Sequence, residues 1–400
     1  MTTQHSLANA KNPHGALVRR VLLAVARRDL ASESELVRHP LPGLIDAAAV
    51  HRISGLVYHA LQEVDGADPS LVAGLRRTSL VVASEHLRVL ADLHEFLDFL
   101  DGAGIPSLVL KGPVVAETLY DEPWHRSYLD LDVLVPAEAF GAVIDALPLV
   151  DGVLCNRNWR LLLREMKSEV TARLRQGTTL DLHWHPIPDA RIRRNVNLSP
   201  EHLFANRRML DVGGRPIATL DSASNLVYLA AHACWSGAHQ LVWHIDLRNA
   251  LERDEPNWAA ITDRARSWAV ELPVAVALQR MCQLLGVNLP PEAQALSGSR
   301  CVWHLVGRAA GRRSPLHLEA DTYHLHQLIA RASRGNSATS GIALLQQLAD
   351  VVCRGGPRRV PSRHQGLDPE HPSSIFFEAP EGREDYLAAV VRASRASGSR

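Results

Sequence analysis

Two aspartates in an apolar segment are the residues of this chain best suited to chemistry. Asp130 and Asp132 lie within residues 129–135, and the rest of that segment is leucine and valine. Because side chains alternate between the two faces of a β-strand, both carboxylates should project to the same side. Asp181, within residues 179–185, offers a third carboxylate on a predicted neighbouring strand.

Three converging carboxylates predict a site for hard divalent cations. Mg²⁺ prefers oxygen ligands and usually keeps coordination positions for substrate phosphates. Two such ions about 3.5–4 Å apart can hold the attacking and leaving oxygens of a phosphoryl transfer. The alternative is that Asp130 and Asp132 are solvated surface carboxylates. Their apolar neighbours favour the metal site, because a buried carboxylate is costly unless it is paired or metal-bound.

The region around these aspartates also resembles a known protein family. The similar segments are residues 111–113, 119–120, 126 and 130–135, and residues 180–184 resemble the segment that supplies the family's third carboxylate. The family is a bacterial group of predicted nucleotidyltransferases within the DNA polymerase β-like nucleotidyltransferase superfamily. The likeness extends over roughly residues 40–250. It implies nucleotidyl transfer with Asp130, Asp132 and Asp181 as catalytic residues.

The residues that bind the nucleotide phosphates depart from the superfamily pattern. That pattern has a glycine followed by serine or glycine, whereas Gly112 is followed here by Pro113, which has no N–H to offer. The resemblance therefore implies that Lys111 and Arg126 bind the phosphates, because both make charge-assisted hydrogen bonds. Lys111 could instead be a solvated lysine at a strand end, and Arg126 could form an ion pair with a nearby carboxylate such as Asp121 or Glu122.

Three further residues are candidate neighbours of the site. His183 follows Asp181 by two residues and His185 by four, so both are predicted on its face of the strand. His183 could serve as a base, a ligand or a hydrogen-bond partner, and the alternative is a partly exposed histidine of a hairpin. Asp246 is a candidate contact to nucleotide or acceptor. Trp243 is expected to lie in the core rather than to stack on a base.

Composition limits the classes of partner. The 400 residues carry 43 basic and 43 acidic side chains, so no global field favours nucleic acid, which is disfavoured as a partner without being ruled out. Five scattered cysteines without Cys-x-x-Cys spacing predict neither a zinc site nor a disulfide framework. The absence of an apolar run of about 18 residues predicts no membrane partner, and the expected location is cytoplasmic.

Helical periodicity surrounds the predicted strands. Leucines at 87, 90, 93, 97 and 100 predict one face of a long helix. Residues 169–174 and 179–185 alternate around a turn at 176–177 and predict a β-hairpin. We therefore expect an α+β fold, with a small mixed β-sheet nucleotidyltransferase core flanked by N-terminal and C-terminal helical regions. The predicted segments are a loose N-terminus (1–15), an N-terminal helical region (16–103), the core (104–220), a C-terminal helical region (221–352) and a loosely ordered tail (353–400).

The expected function is metal-dependent transfer of an NMP group from an NTP, such as ATP, to a small-molecule or protein acceptor. Asp130, Asp132 and Asp181 would bind Mg²⁺ or Mn²⁺, and without a metal their mutual repulsion is expected to raise the carboxylate pKa values. Two alternatives stay open. One is a catalytically inactive nucleotide-binding or antitoxin-like partner, and the other is a toxin of the same fold that modifies tRNA. The sequence does not identify the acceptor.

Overall fold

The computed structural model describes residues 13–296, 342–343, 368–372 and 374–397. Within these ranges the chain combines helices with a five-stranded mixed sheet and a separate two-stranded sheet, so the predicted α+β class is confirmed. The boundaries of the five predicted segments stay a prediction. Most of the predicted loose N-terminus and much of the predicted loose tail lie outside the described residues.

Five helices precede the sheet. They are α1 (Pro13–Ala26), α2 (Ser34–Val37), α3 (Leu44–Val50), α4 (Ser54–Gln62) and α5 (Pro69–Gly102). The long helix α5 begins where the Asp68 side chain accepts hydrogen bonds from the backbone N–H groups of Ser70 and Leu71, an N-cap that satisfies two otherwise unpaired donors. Its predicted leucine face is buried from Leu90 onward, but Leu87 is 67% exposed and does not belong to that face.

The central sheet holds the predicted strands. Its members are β1 (Leu108–Val109), β2 (Leu131–Leu134), β3 (Val153–Leu154), β4 (Glu169–Arg173) and β5 (Thr179–His183), in the order β1-β2-β5-β4-β3. Strands β2 and β5 pair in parallel, and the other neighbours pair antiparallel. The predicted hairpin is confirmed as β4–β5. Helices α6 (Pro113–Leu119), α7 (Ala137–Ala146) and α8 (Trp159–Glu165) connect the strands.

The parallel pairing of β2 and β5 fixes which residues meet. Leu131 lies opposite Leu180, and Asp132 lies opposite Asp181. All four residues of β2 are buried between strands β1 and β5, with Leu131 and Val133 in one hydrophobic core and Leu134 in the other. A strand buried in this way is expected to be an apolar run, as β2 is apart from Asp132.

The second half of the chain is mainly helical. After α9 (Ala190–Arg193) and α10 (Pro200–Ala205), a hairpin of β6 (Arg208–Val212) and β7 (Arg215–Thr219) forms the two-stranded sheet, which the sequence analysis did not predict. The later helices are α11 (Ser222–Trp235), α12 (Leu241–Arg253), α13 (Trp258–Ser267), α14 (Glu271–Leu285) and α15 (Arg383–Ser397). Short 3₁₀ turns occupy Leu30–Glu33, Pro123–His125, Leu147–Val150 and Pro291–Leu296.

Two hydrophobic cores organise the described part of the chain. In the first, helices α1 to α4 pack with helices α11 to α14, so helices that precede the central sheet and helices that follow it share one hydrophobic core. The second lies under the central sheet and joins the C-terminal half of α5 with α7, α8 and α15, where Tyr386 is fully buried. No helix among the described residues is long and apolar enough to cross a bilayer, and the cytoplasmic location stays a prediction.

Candidate active site

Three carboxylates converge at one end of the β2–β5 pair. Each of Asp130, Asp132 and Asp181 offers an oxygen, and these oxygens lie within 4.8 Å of one another. Asp132 is 3% exposed, while the other two are half-buried. The structure therefore brings together the three aspartates that the sequence pointed to. Their role as metal ligands stays a prediction.

The donor atoms fit a hard divalent cation. All three are carboxylate oxygens, the ligand type that Mg²⁺ and Mn²⁺ favour, and they converge on one place. Asp132 Oδ2 is buried, and the ammonium of Lys111 lies beside it, so this oxygen already faces a cation.

Lys111 lies directly beside the carboxylates. Leu110 continues the pairing of β1 with β2, because its N–H donates to Asp132 O at 3.1 Å. Lys111 Nζ then lies 2.7 Å from Asp132 Oδ2 and 3.9 Å from Asp130 Oδ1. Burial alone would lower the pKa of Lys111, but the two carboxylates outweigh burial and raise it. Lys111 is therefore a charged, largely buried lysine, and the alternative of a solvated strand-end lysine is wrong.

His183 joins Asp132 to a fourth acidic residue. His183 Nε2 lies 3.1 Å from Asp132 Oδ1, and His183 Nδ1 lies 3.5 Å from Glu169 Oε2. Burial would lower the pKa of His183, but these acidic neighbours raise it. His185 does not join them. It lies beyond the end of β5 and pairs with Leu198 O at 3.1 Å and with the N–H of Ile187 at 3.1 Å.

The pKa values of Asp132 and Asp181 shift in opposite directions, and only that of Asp181 follows the expectation. Burial, Glu169 and then Asp132 raise the pKa of Asp181 to about 7, as expected for carboxylates without a metal. The expectation is wrong for Asp132. Burial would raise the pKa of Asp132, but the charge of Lys111 and the hydrogen bond with His183 lower it well below its usual range.

Arg126 is paired with Asp246 rather than with the nearby carboxylates of its own loop. Arg126 Nε donates to Asp246 Oδ1 at 2.8 Å, and Nη2 donates to Oδ2 at 2.9 Å. Tyr120 adds a hydrogen bond to the same carboxylate at 2.7 Å, whereas Asp121 pairs with Arg253. Arg126 thus forms an ion pair, as the alternative held, but its partner is Asp246 and not Asp121 or Glu122. Phosphate binding by Arg126 stays a prediction.

The backbone at Gly112 approaches the carboxylates closely. Its φ of 66° and ψ of −119° lie in a region that residues with a side chain avoid. A Cβ there would lie 3.1 Å from Asp130 O and 3.6 Å from the ring of Tyr128. The turn therefore requires glycine, and it delivers the chain from Lys111 into α6, whose first residue is Pro113.

A buried hydrogen-bonded group supports this turn from α5. His86 Nδ1 lies 2.8 Å from Tyr128 Oη, and His86 Nε2 lies 2.7 Å from Glu117 Oε1. The Tyr128 ring lies close to Gly112, so the group fixes one wall of the site.

A cleft opens beside Lys111 and Asp130. Four of the residues that line it were not predicted, namely Arg52, Tyr128, Leu229 and His232, and a fifth, Trp243, was expected to lie in the core. Arg52 and His232 lie within the region that resembles the family, but no local pattern assigned them a role. Glu169, which lies opposite His183 in the pairing of β4 with β5, was also missed.

Residues 41–286 match the family model described as "Uncharacterised nucleotidyltransferase". The chain belongs to this family. The match covers more than half of the 400 residues and confirms the resemblance seen in the sequence. The protein is thus a nucleotidyltransferase, an enzyme that transfers phosphorus-containing groups.

The chain also resembles a solved structure over about half of its length. This nucleotidyltransferase is similar to the solution structure of the antibiotic-resistance factor ANT(2'')-Ia, with 14% sequence identity and a TM-score of 0.33. The likeness covers 51% of this chain and 96% of that chain. No protein of curated function matches this nucleotidyltransferase significantly.

Proposed function

We propose that this nucleotidyltransferase moves an NMP group from an NTP to a small-molecule or protein acceptor in a reaction that depends on Mg²⁺ or Mn²⁺. The observation that carries the proposal is the convergence of Asp130, Asp132 and Asp181, whose oxygens lie within 4.8 Å of one another beside the ammonium of Lys111. Three carboxylates and one cation at the end of a parallel strand pair suit a triphosphate and its counterions.

The three aspartates would hold the divalent ions. When bound, such ions neutralise charge on the phosphates and lower the pKa of an attacking hydroxyl. The cluster of oxygen ligands, without thiolates, favours Mg²⁺ or Mn²⁺ over zinc.

The remaining steps belong to the chain's own groups. Lys111 neutralises charge on the phosphates, and the Gly112 turn lets the backbone approach them, because no side chain intervenes. Asp181 would accept the proton of the acceptor hydroxyl, and Thr171 Oγ1 would orient it by donating to Asp181 Oδ1 at 2.8 Å. The acceptor oxygen then bonds to the α-phosphorus, the bond from that phosphorus to the bridging oxygen breaks, and pyrophosphate leaves.

A transfer assay tests the proposal. Purified protein is incubated with each of four α-labelled NTPs, Mg²⁺ and pools of metabolites, proteins or tRNA, and labelled acceptor is measured. We expect transfer by the wild type, and a loss of at least about 100-fold in Asp130→Asn and Asp132→Asn, because the charge that holds the ions is removed. Asp151→Asn, at an exposed turn, is the matched control and should retain full transfer.

Calorimetry of NTP binding gives a second test of metal dependence. We expect NTP affinity to fall when EDTA removes divalent ions, and equal affinity with and without Mg²⁺ would contradict the proposal. If the wild type labels no acceptor while Asp132→Asn keeps full biological activity, the protein acts as an inactive partner. Labelling confined to tRNA would favour the alternative of a toxin that modifies tRNA.

A further inference from the structure

The cleft beside the carboxylates is walled by both helical regions of the chain. Arg52 comes from the turn before α4, and Trp243 comes from α12, while Lys111 and Asp130 form the end nearest the catalytic carboxylates. A ligand bound to Lys111 can therefore extend from the carboxylates toward residues that lie almost 200 positions apart in the sequence.

Arg52 is held in this cleft by a strained turn. Its φ of 60° is left-handed, which a residue with a long side chain adopts rarely. The turn is fixed on both sides. On one side, Ser127 N donates to Arg52 O at 3.1 Å. On the other side, His51 accepts two hydrogen bonds from α12 and its start. Val242 N donates to His51 O at 3.3 Å, and Leu241 N donates to His51 Nδ1 at 3.2 Å. Backbone strain that the surroundings enforce in this way is concentrated at functional sites.

Trp243 has a fixed orientation at the other end of the cleft. The rings of His232 and His239 lie at 87° and 88° to its ring, with centroids 6.1 Å and 5.0 Å away. Trp243 is half-buried rather than enclosed in the core. An aromatic side chain that is fixed and partly open at the edge of a cleft can stack on a nucleobase.

The charges of the lining favour an anionic ligand. Arg126 and Asp246 form a bidentate pair and neutralise each other. Lys111 pairs in the same way with Asp132, and Arg52 brings a further cation to the lining of the described cleft, which a ligand with several phosphates can use. Burial and the charge of Lys111 lower the pKa of His232 to about 3, so its imidazole is neutral and can hydrogen-bond to a base edge.

From this arrangement we propose that the cleft is the donor-nucleotide subsite, in which Arg52 contacts the triphosphate and Trp243 stacks on the base. This inference rests on the proposed function and assigns its donor site. It predicts that the N-terminal and C-terminal helical regions both determine nucleotide affinity, whereas the acceptor approaches from the side of Asp181 and Glu169.

Calorimetry with Mg²⁺ and either an NTP or inorganic tripolyphosphate separates the two contacts. Trp243→Ala should weaken NTP binding by roughly tenfold or more but leave tripolyphosphate binding unchanged, and Trp243→Phe should restore most of the affinity. Trp235→Ala, a half-buried tryptophan on α11 outside the cleft lining, is the matched control and should bind NTP as the wild type does.

Arg52→Gly tests the phosphate contact without adding strain. Glycine accepts the left-handed conformation, so the backbone gains no strain and the variant should remain folded, while affinity for both NTP and tripolyphosphate should drop by about tenfold or more. Arg28→Gly is the matched control, because Arg28 has a φ of 61° and does not line the cleft. Its variant should bind both probes as the wild type does.

The outcomes separate this inference from the proposed function. If the wild type binds no NTP, both fail. If the wild type binds and transfers, but Arg52→Gly and Trp243→Ala bind NTP within twofold of it, the subsite is wrong and the proposed function stands. Normal NTP binding with a raised KM for the acceptor would assign the cleft to the acceptor and overturn the inference.

Discussion

The three aspartates of the site are not equivalent. Asp132 faces the ammonium of Lys111 at 2.7 Å and His183 at 3.1 Å, so its charge is compensated even without a metal. Asp181 is close to Glu169 and Asp132, and its carboxyl pKa is raised to about 7. The metal-free protein therefore carries an electrostatic cost that is concentrated at Asp181, the aspartate placed nearest Glu169.

Asp181→Asn should stabilise the metal-free protein. A carboxyl whose folded-state pKa is raised from 3.8 to about 7 binds its proton more tightly in the folded state, so its contribution to stability falls as pH rises through that interval. Removing the group should raise the free energy of unfolding by up to about 4 kcal/mol at pH 8, with the gain shrinking toward pH 4. Thermal denaturation in EDTA across this pH range measures the effect.

Asp132→Asn should change the free energy of unfolding in the opposite direction. It leaves Lys111 buried without its closest carboxylate, so it should destabilise the protein by roughly 3–5 kcal/mol. The pKa of Asp132 is lowered in the folded state, so its contribution is present above pH 4 and is lost at lower pH. If both variants lower the melting temperature at pH 8, the electrostatic account of Asp181 is wrong.

At the scale of elements, a short turn positions the arginine of the site. The 3₁₀ turn Pro123–His125 packs against the start of α4 and leads directly into Arg126. Gly55 in α4 permits this contact, because a Cβ there would lie 2.0 Å from Trp124 O. Backbone carbonyls cannot give way as a flexible side chain can, so the turn depends on the missing Cβ.

Gly55→Ala should therefore destabilise the protein by about 2–4 kcal/mol despite the better helix propensity of alanine, because overpacking against backbone forces the turn to move. It should also weaken NTP binding, since Arg126 follows the turn. Gly102→Ala, at the end of α5 with open space around it, is the matched control and should be neutral or slightly stabilising. Urea denaturation measures both, and equal effects would contradict the packing argument.

The elements that could be predicted from sequence are those with local signals. Alternation placed Asp130 and Asp132 on one face, and it placed His183 on the same face as Asp181. The positions of Arg52 and Trp243 could not be predicted in this way, because they depend on how helices from both ends pack on the sheet. The hairpin β6–β7 was missed because its residues are mostly polar or half-exposed, which leaves little hydrophobic alternation.

At the scale of the whole molecule, one buried ion pair joins the core to the C-terminal helices. Arg126, just before β2, and Asp246, on α12, are 5% and 1% exposed and make two hydrogen bonds to each other. Arg126 Nη1 also donates to Gly112 O at 3.4 Å, so the pair connects α12 with the turn beside the carboxylates. The helical regions thereby hold the site as well as enclosing it.

A double-mutant cycle tests this connection. Asp246→Leu and Arg126→Met should each cost about 3–5 kcal/mol, because each leaves a buried charge unpaired, while the double variant should cost much less than their sum. We expect the folded double variant to transfer nucleotide at least tenfold more slowly, because the Gly112 turn loses its contact with Arg126. The exposed pair Arg157–Glu378, 3.5 Å apart with side chains 63% and 68% exposed, is the matched control and should show a coupling below about 1 kcal/mol. A double variant with wild-type transfer would show that the pair stabilises the fold without positioning the site.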